Sequence, residues 1–231
     1  MMNRRQVFGR LGTVSAAASS LVQAQTSPKR QYYDLRYYQL RNGYSKRTLP
    51  PKPAGGGMVG VFNSVIGEGT PFVVIVQAYA TFAEAEQAPE PDFDYIRYER
   101  TLLRSLSGWP ELKNPPKSDS GHIFEMRTYE SNNAATLQKK IGMFNGGEIG
   151  IFQRLGMNPV FFGEALTGSK LPHLTYMLAY DDLAARDRVW KAFGADPEWQ
   201  KLRVTPGLSD AEIVSNISSS ILRPAAISDI R

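Results

Sequence analysis

Alternation with a period of two marks a half-buried strand, and it is clearest at Phe124-Glu125-Met126-Arg127-Thr128-Tyr129-Glu130. Glu125, Arg127 and Tyr129 fall on one face, and Phe124, Met126 and Thr128 on the other. The pattern also occurs 91 residues earlier, in Tyr33-Asp34-Leu35-Arg36-Tyr37-Tyr38. There Asp34, Arg36 and Tyr38 share a face, backed by Tyr33, Leu35 and Tyr37. A constant offset through acid, arginine and tyrosine predicts an internal duplication. Shorter echoes agree with it: Ala78-Tyr79 with Ala179-Tyr180, and Leu102-Leu103-Arg104 with Ile221-Leu222-Arg223.

The remaining pattern supplies the other elements. In the first half it predicts strands over 31–41, 59–66, 72–80 and 93–106, with a hairpin turn at 67–71. Pro50, Pro51, Pro53 and Gly55-Gly56-Gly57 oppose a helix between the first two strands, and Phe82 to Gln87 has room for one helical turn before Pro89. In the second half, Ser131 or Asn132 caps a helix carrying Leu137, Ile141 and Phe144. Gly146-Gly147 weakens it before Ile149, Phe152 and Leu155 resume the apolar face. Strands over 159–166 and 174–180 flank a hairpin. Asp181 or Asp182 then caps a helix burying Leu183, Val189, Trp190 and Phe193. Asp196-Pro197 starts a short helix with Trp199 and Leu202 inward, and 212–222 forms the last strand. Each half is β-α-β-β-α-β in plan, so the fold expected is α+β: two ferredoxin-like repeats, 31–107 and 122–224, joined by a linker over 108–121. Two such units pair their sheets into a barrel with helices outside.

The first residues change the charge argument. Arg4-Arg5, a short weakly apolar stretch and Val22-Gln23-Ala24 read as a twin-arginine export signal over 1–24, too short and too poor in Leu and Ile to be a stable membrane anchor. It places the mature protein in the periplasm or outside the cell. The formal net charge of +5 includes Arg4, Arg5 and Arg10, so the mature chain carries +2 and no basic stripe for nucleic acid. The chain has no cysteine, which excludes disulfides, thiolate metal sites and cysteine nucleophiles.

Three stretches carry a family resemblance: 124–130 above, Leu174-Thr175-Tyr176-Met177-Leu178-Ala179-Tyr180-Asp181-Asp182-Leu183-Ala184-Ala185-Arg186, and Ala195-Asp196-Pro197-Glu198-Trp199. They resemble the NIPSNAP family, in particular its exported, duplicated bacterial branch. The resemblance implies the dimeric α/β-barrel architecture, built here within one chain. That superfamily includes cofactor-free monooxygenases and haem enzymes, whereas most NIPSNAP proteins have no assigned reaction. The first half departs from the pattern in its short inter-strand segments, about 17 and 12 residues against about 28 and 31 in the second half. Its helices look shortened or lost, which predicts an exposed apolar sheet face, covered by a second copy of the chain or else left as a loss of stability.

The candidate site comprises the two matched polar faces, Asp34, Arg36, Tyr38 and Glu125, Arg127, Tyr129, together with Tyr176. A polar face on a strand with an apolar back is expected to line the barrel interior. There arginine can hold a carboxylate or enolate in bidentate fashion and tyrosine can donate a proton. The competing reading is a buried ladder of ion pairs joining the two sheets. Phe161, Phe162 and Tyr176 suit either core or pocket wall. His122 and His173 lack a third ligand at familiar spacing, so neither metal nor cofactor is expected. Nucleotide-binding and nucleophile-elbow motifs are absent. These features leave three functions open: binding of a small organic ligand or protein partner, cofactor-independent oxygenation or isomerisation of a small acidic or aromatic substrate, and a purely structural module.

Overall fold

The computed structural model describes residues 29–43 and 50–231. The export signal expected over 1–24 and positions 44–49 of the proline- and glycine-rich segment lie outside the described residues. Eight strands form one closed barrel: β1 (Tyr32–Gln39), β2 (Val59–Ile66), β3 (Phe72–Tyr79), β4 (Arg97–Ser105), β5 (Ile123–Glu130), β6 (Asn158–Ala165), β7 (His173–Tyr180) and β8 (Asn216–Pro224). Their order around the barrel is β1-β3-β2-β8-β5-β7-β6-β4. Within each half the fourth strand neighbours the first, then the third, then the second, which is the ferredoxin-like order. β2 meets β8 at one seam, and β4 meets β6 at the other. Every position of β3 and β7 is buried, as expected of strands covered on both faces.

The alternation separates two layers. Inside, Tyr33, Phe62, Leu103, Phe124, Phe161, Met177 and Leu222 pack together and fill one end of the barrel. The Phe62 and Phe124 rings lie 4.8 Å apart, and Tyr33 meets Phe161 edge-on at 5.4 Å. At the other end stand the two hairpin turns, 67–71 between β2 and β3 and 166–172 between β6 and β7. Outside the second half, Tyr129, Phe144, Phe152, Phe162, Tyr176 and Phe193 form a separate cluster under the helices.

Those helices differ in detail from expectation. The cap of α2 (Ala134–Met143) is Asn133, whose side chain and that of Thr136 hold one another's backbone N–H. Gly146-Gly147 interrupts the helix as expected: Gly147 leaves the helical region, with φ 179° and ψ −41°, and the axis kinks there. The pair lies in a π-helical turn, Phe144–Glu148, that runs into α3 (Ile149–Arg154) and brings Glu148 to within 3.2 Å of Lys140. Asp182 caps α4 (Leu183–Ala195), on which Phe193 is buried and Leu183 stands exposed in the first turn. Asp196 caps α5 (Pro197–Arg203) and accepts from Glu198 and Trp199 N–H. The last strand begins at 216, because Ser209 and Glu212 close a reciprocal cap around a short helix, α6 (Asp210–Ile213).

Among the described residues the first half has one short helix, α1 (Phe82–Glu86). Its outer sheet face is not an apolar patch awaiting a second copy. Val59, Val61, Val73 and Ile75 are buried under Tyr38, Phe93, Tyr95, Tyr98 and Ala225. The C-terminal tail runs along β2, where Ala225 and Asp229 N–H donate to Val61 and Val59 carbonyls at 2.8 and 2.9 Å. Asp229 and Ser228 side chains accept from Val59 and Val61 N–H. Ile230 then turns into the filled end of the barrel and is fully buried. The chain therefore supplies from its own tail the cover that the missing helices leave open. Ile230→Ala is expected to lower stability by about 2–4 kcal/mol, as for buried Ile-to-Ala changes generally. A shift of the urea midpoint within error of zero would remove the tail from the core.

Candidate functional site

The two polar faces point outward, against the covering elements, and not into the barrel. Glu125 is the clearest case. Its buried carboxylate accepts from Arg127 Nη1 at 2.8 Å, Arg186 Nε and Nη2 at 2.9 and 2.6 Å, Trp190 Nε1 at 2.8 Å and Ser219 Oγ at 2.8 Å. Burial alone would raise its pKa, but Arg186, Arg127 and Trp190 outweigh it and hold the carboxyl below the ordinary range. Arg127 lies 4.7 Å over the Trp190 ring and donates from Nη2 to the Tyr129 hydroxyl at 3.3 Å. Tyr176 donates to the same hydroxyl at 3.1 Å and stacks on Phe162. Lys140 sits beneath, 5.2 Å from the Tyr129 ring and 3.1 Å from Asp210. Burial opposes its charge, and Glu148 and Asp210 keep it protonated.

The first half repeats the device with fewer parts. Asp34 accepts from Arg36 Nε at 2.8 Å and Arg100 Nε at 2.9 Å. Both guanidinium groups go on to carbonyls at the end of α1 and just beyond, Arg36 to Ala88 and Pro89 and Arg100 to Ala85 and Glu86. Tyr38 stacks on Tyr98 at 4.9 Å. In both halves the acid is paired by arginines of the same chain, while Arg127 Nε and the Tyr38 hydroxyl are buried without a hydrogen-bond partner among the described residues. The ladder joins each sheet to its own cover, not one sheet to the other. The expectation of an interior polar face fails because the helices of this fold pack on the outer face, where their backbone ends and side chains need polar partners.

The interior face holds the open space. A cavity of about 340 Å³ enters the barrel at the hairpin end. Six strands line it: β1 with Leu35 and Tyr37, β3 with Val74, β4 with Arg97, Glu99 and Thr101, β5 with Met126 and Thr128, β7 with His173 and Thr175, and β8 with Ser218 and Ser220. Glu68, Ser169 and Lys170 add the turns. Thr128 and Thr175 hydroxyls bond at 2.9 Å, and His173 Nδ1 lies 3.4 Å from Thr175 Oγ1. The Tyr37 hydroxyl donates to the Glu68 carbonyl at 3.0 Å. Burial lowers the pKa of His173, which keeps it neutral near pH 7. His122 lies near the opposite end of β5, edge-on to Phe124 and 3.9 Å from Asp181. A larger groove of about 750 Å³ runs outside the barrel between Gly55–Gly57 and α1.

None of the seven predicted site residues lines this cavity. Its own signal was present in the chain as hydroxyl residues in phase with Phe124 and Met126: Thr128, then Thr175, and Ser218 and Ser220 on the last strand.

An eight-stranded α+β barrel of two ferredoxin-like halves, open at one end, is the class these features define. The NIPSNAP family model matches residues 124–229, which span the second half of the barrel. A NIPSNAP domain protein of unknown character from Burkholderia xenovorans is 26% identical, over 46% of this chain and 96% of its own, with a TM-score of 0.39. Two structures span the whole barrel and share its fold. A candidate monooxygenase from Fusobacterium nucleatum has TM-score 0.52 and 7% identity, over 87% of this chain and 95% of its own. An anthrone oxidase-like protein has TM-score 0.51 and 10% identity, over 86% and 93%. No curated protein matches the chain.

The Glu125 cluster sets an acid limit on stability. A carboxyl whose pKa is lower in the folded than in the unfolded state contributes stability above its unfolded pKa, and that contribution is lost as pH falls through the folded value. Glu125→Gln is expected to cost about 3–5 kcal/mol at pH 7, because Arg127 and Arg186 lose their shared counter-charge, and to flatten the decline in urea midpoint below pH 4.5. Arg127→Met should cost less, since Arg186 still pairs the acid. The reverse order would remove Glu125 as the centre of the cluster.

Proposed function

We propose that this protein binds a small organic molecule inside the barrel mouth. The observation that carries the reading is the cavity itself: one end of the interior is packed solid, while the other leaves a volume within the range of small-molecule sites. Its lining mixes apolar walls with a few hydroxyl groups and one neutral imidazole, the composition such sites commonly show. The names of the two whole-barrel relatives favour a second reading in the same place, cofactor-independent oxidation or isomerisation of the bound molecule. His173 and Tyr37 are the cavity groups suited to exchanging a proton with it. The common offset of 91 and the shared strand order support a further proposal, that 31–107 and 122–224 arose by duplication around the segment 108–121.

Ser218→Trp places an indole in the mouth and tests the site. A thermal-shift screen of small organic molecules against the full chain should yield compounds that raise the midpoint, since a ligand at 100 times its Kd adds about 2.7 kcal/mol. Those shifts should vanish in a Ser218→Trp protein whose unliganded midpoint stays close to wild type. Hits that persist in the variant would move the site elsewhere.

Export by the twin-arginine route is part of the proposal and rests on Arg4-Arg5 and the stretch that follows. Arg4→Lys with Arg5→Lys should leave the protein in the cytoplasm, measured by fractionation and immunoblotting. Normal periplasmic levels of the double variant would refute it.

A further inference from the structure

The cavity is built from two unlike walls, and the difference between them narrows the chemistry of its ligand. On one side the second half presents a row of hydroxyls. Thr175, Thr128 and Ser218 are direct cross-strand partners on β7, β5 and β8, so their side chains stand about 4.8 Å apart along the row. Ser220 continues the same face one step deeper on β8, level with Met126. On the other side, Leu35 and Val74 come from β1 and β3 of the first half, Thr101 adds one hydroxyl from β4, and Tyr37, tilted against Phe72 with ring centroids 4.5 Å apart, extends that wall toward the mouth.

Charge is confined to the rim, where Arg97, Glu99 and Lys170 have partners and Glu68 forms no ion pair among the described residues. Arg97 lies 3.5 Å from Glu99, Ser169 donates to Glu99 at 3.3 Å, and Lys170 stands 4.0 Å from Glu130. Below the rim the lining carries no ionised side chain, and His173 is buried. A carboxylate or ammonium carried to the Thr128 level would give up its hydration and meet only hydroxyl dipoles, which do not replace a counter-ion. A hydroxyl or carbonyl group loses far less, because each Ser and Thr can both donate and accept. After their mutual bond, Thr128 and Thr175 keep acceptor capacity on both oxygens and at most one O–H between them, with His173 Nδ1 3.4 Å from Thr175 Oγ1.

We infer, on the basis of the proposed binding role, that the ligand is an uncharged ring bearing hydroxyl or carbonyl groups on one edge. That edge is set against Thr128, Thr175 and Ser218, and the ring face against Leu35 and Val74. The arginine faces that had suggested an acidic substrate lie on the outer surface of the barrel, and the lining below the rim offers a carboxylate no counter-ion.

Two probes with the same ring separate the cases: 1-naphthol and 1-naphthoate, titrated by fluorescence into the full chain at pH 7. Naphthol should bind, and naphthoate should bind at least ten-fold more weakly. Thr128→Val with Thr175→Val keeps the side-chain shape and should weaken naphthol at least ten-fold, with a cooperative urea transition as the check on folding. If that pair fails to fold, Ser218→Ala should still weaken naphthol several-fold. Naphthoate binding as tight as naphthol, hydroxyl-free variants that bind naphthol unchanged, or no naphthol binding at all would each overturn the ligand class. Should such a failure coincide with screening hits that Ser218→Trp still abolishes, the cavity remains the binding site and only its chemistry is misassigned.

Discussion

Glu125 is a carboxylate removed from solvent in the middle of the second half's sheet, and the arrangement around it follows from the need to satisfy that charge. An unpaired buried carboxylate would cost more than most single interactions return. The donors that answer it come from β5 itself, from β8 through Ser219, and from α4 through Arg186 and Trp190. Their geometry fixes where α4 lies on the sheet. With α4 in place, Trp190, Phe193 and Phe152 close over Tyr176 and Phe162, and the outer aromatic layer is complete. A pair of strand residues thus determines how a helix docks.

The first half solves the same problem with less chain. Asp34 is paired by two arginines, but the guanidinium groups finish their hydrogen bonding on backbone carbonyls at and beyond the end of α1. A short helix leaves several C-terminal carbonyls unsatisfied, and Arg36 and Arg100 meet that demand directly. The area that a second helix would cover is taken by residues 93–98 and the tail after β8. The asymmetry between halves is therefore one of covering material, while the buried acid between arginines is common to both.

Much of the architecture was legible in the chain, because strand alternation and its 91-residue echo specify which residues share a face and in what order strands recur. The strand order and the short α1 followed from that pattern together with proline and glycine positions. Which face turned inward was not legible. Glu125, Arg127 and Tyr129 look like a lining when the opposite face is apolar, yet a barrel of this size fills much of its interior with Phe62, Phe124 and Phe161 and keeps its charge outside. The tail's role was equally hidden, since nothing local in 225–231 says that its partner is β2, more than 160 residues earlier in the chain. The candidate site was missed for a related reason: threonine and serine on an apolar phase read as tolerated exceptions, not as a lining.

The hairpin end stays open because its turns avoid intruding on the lining. Gly69, at φ +74°, would place a side-chain carbon 2.7 Å from the Tyr37 hydroxyl, and Gly168, at φ +117°, would place one 2.5 Å from Thr101 Oγ1. Both positions combine a left-handed backbone, which a side chain disfavours, with contact against a residue of the cavity. The opposite end has the reverse arrangement, with Phe62 and Ile230 driven inward from the strand and the tail. Filling one end stabilises the closed sheet by burying aromatic surface, which leaves the other end free to carry hydroxyl groups that contribute little to the core. The division of the interior into a packed floor and a polar mouth is then the physical basis on which a barrel of this kind can hold a ligand without giving up its fold.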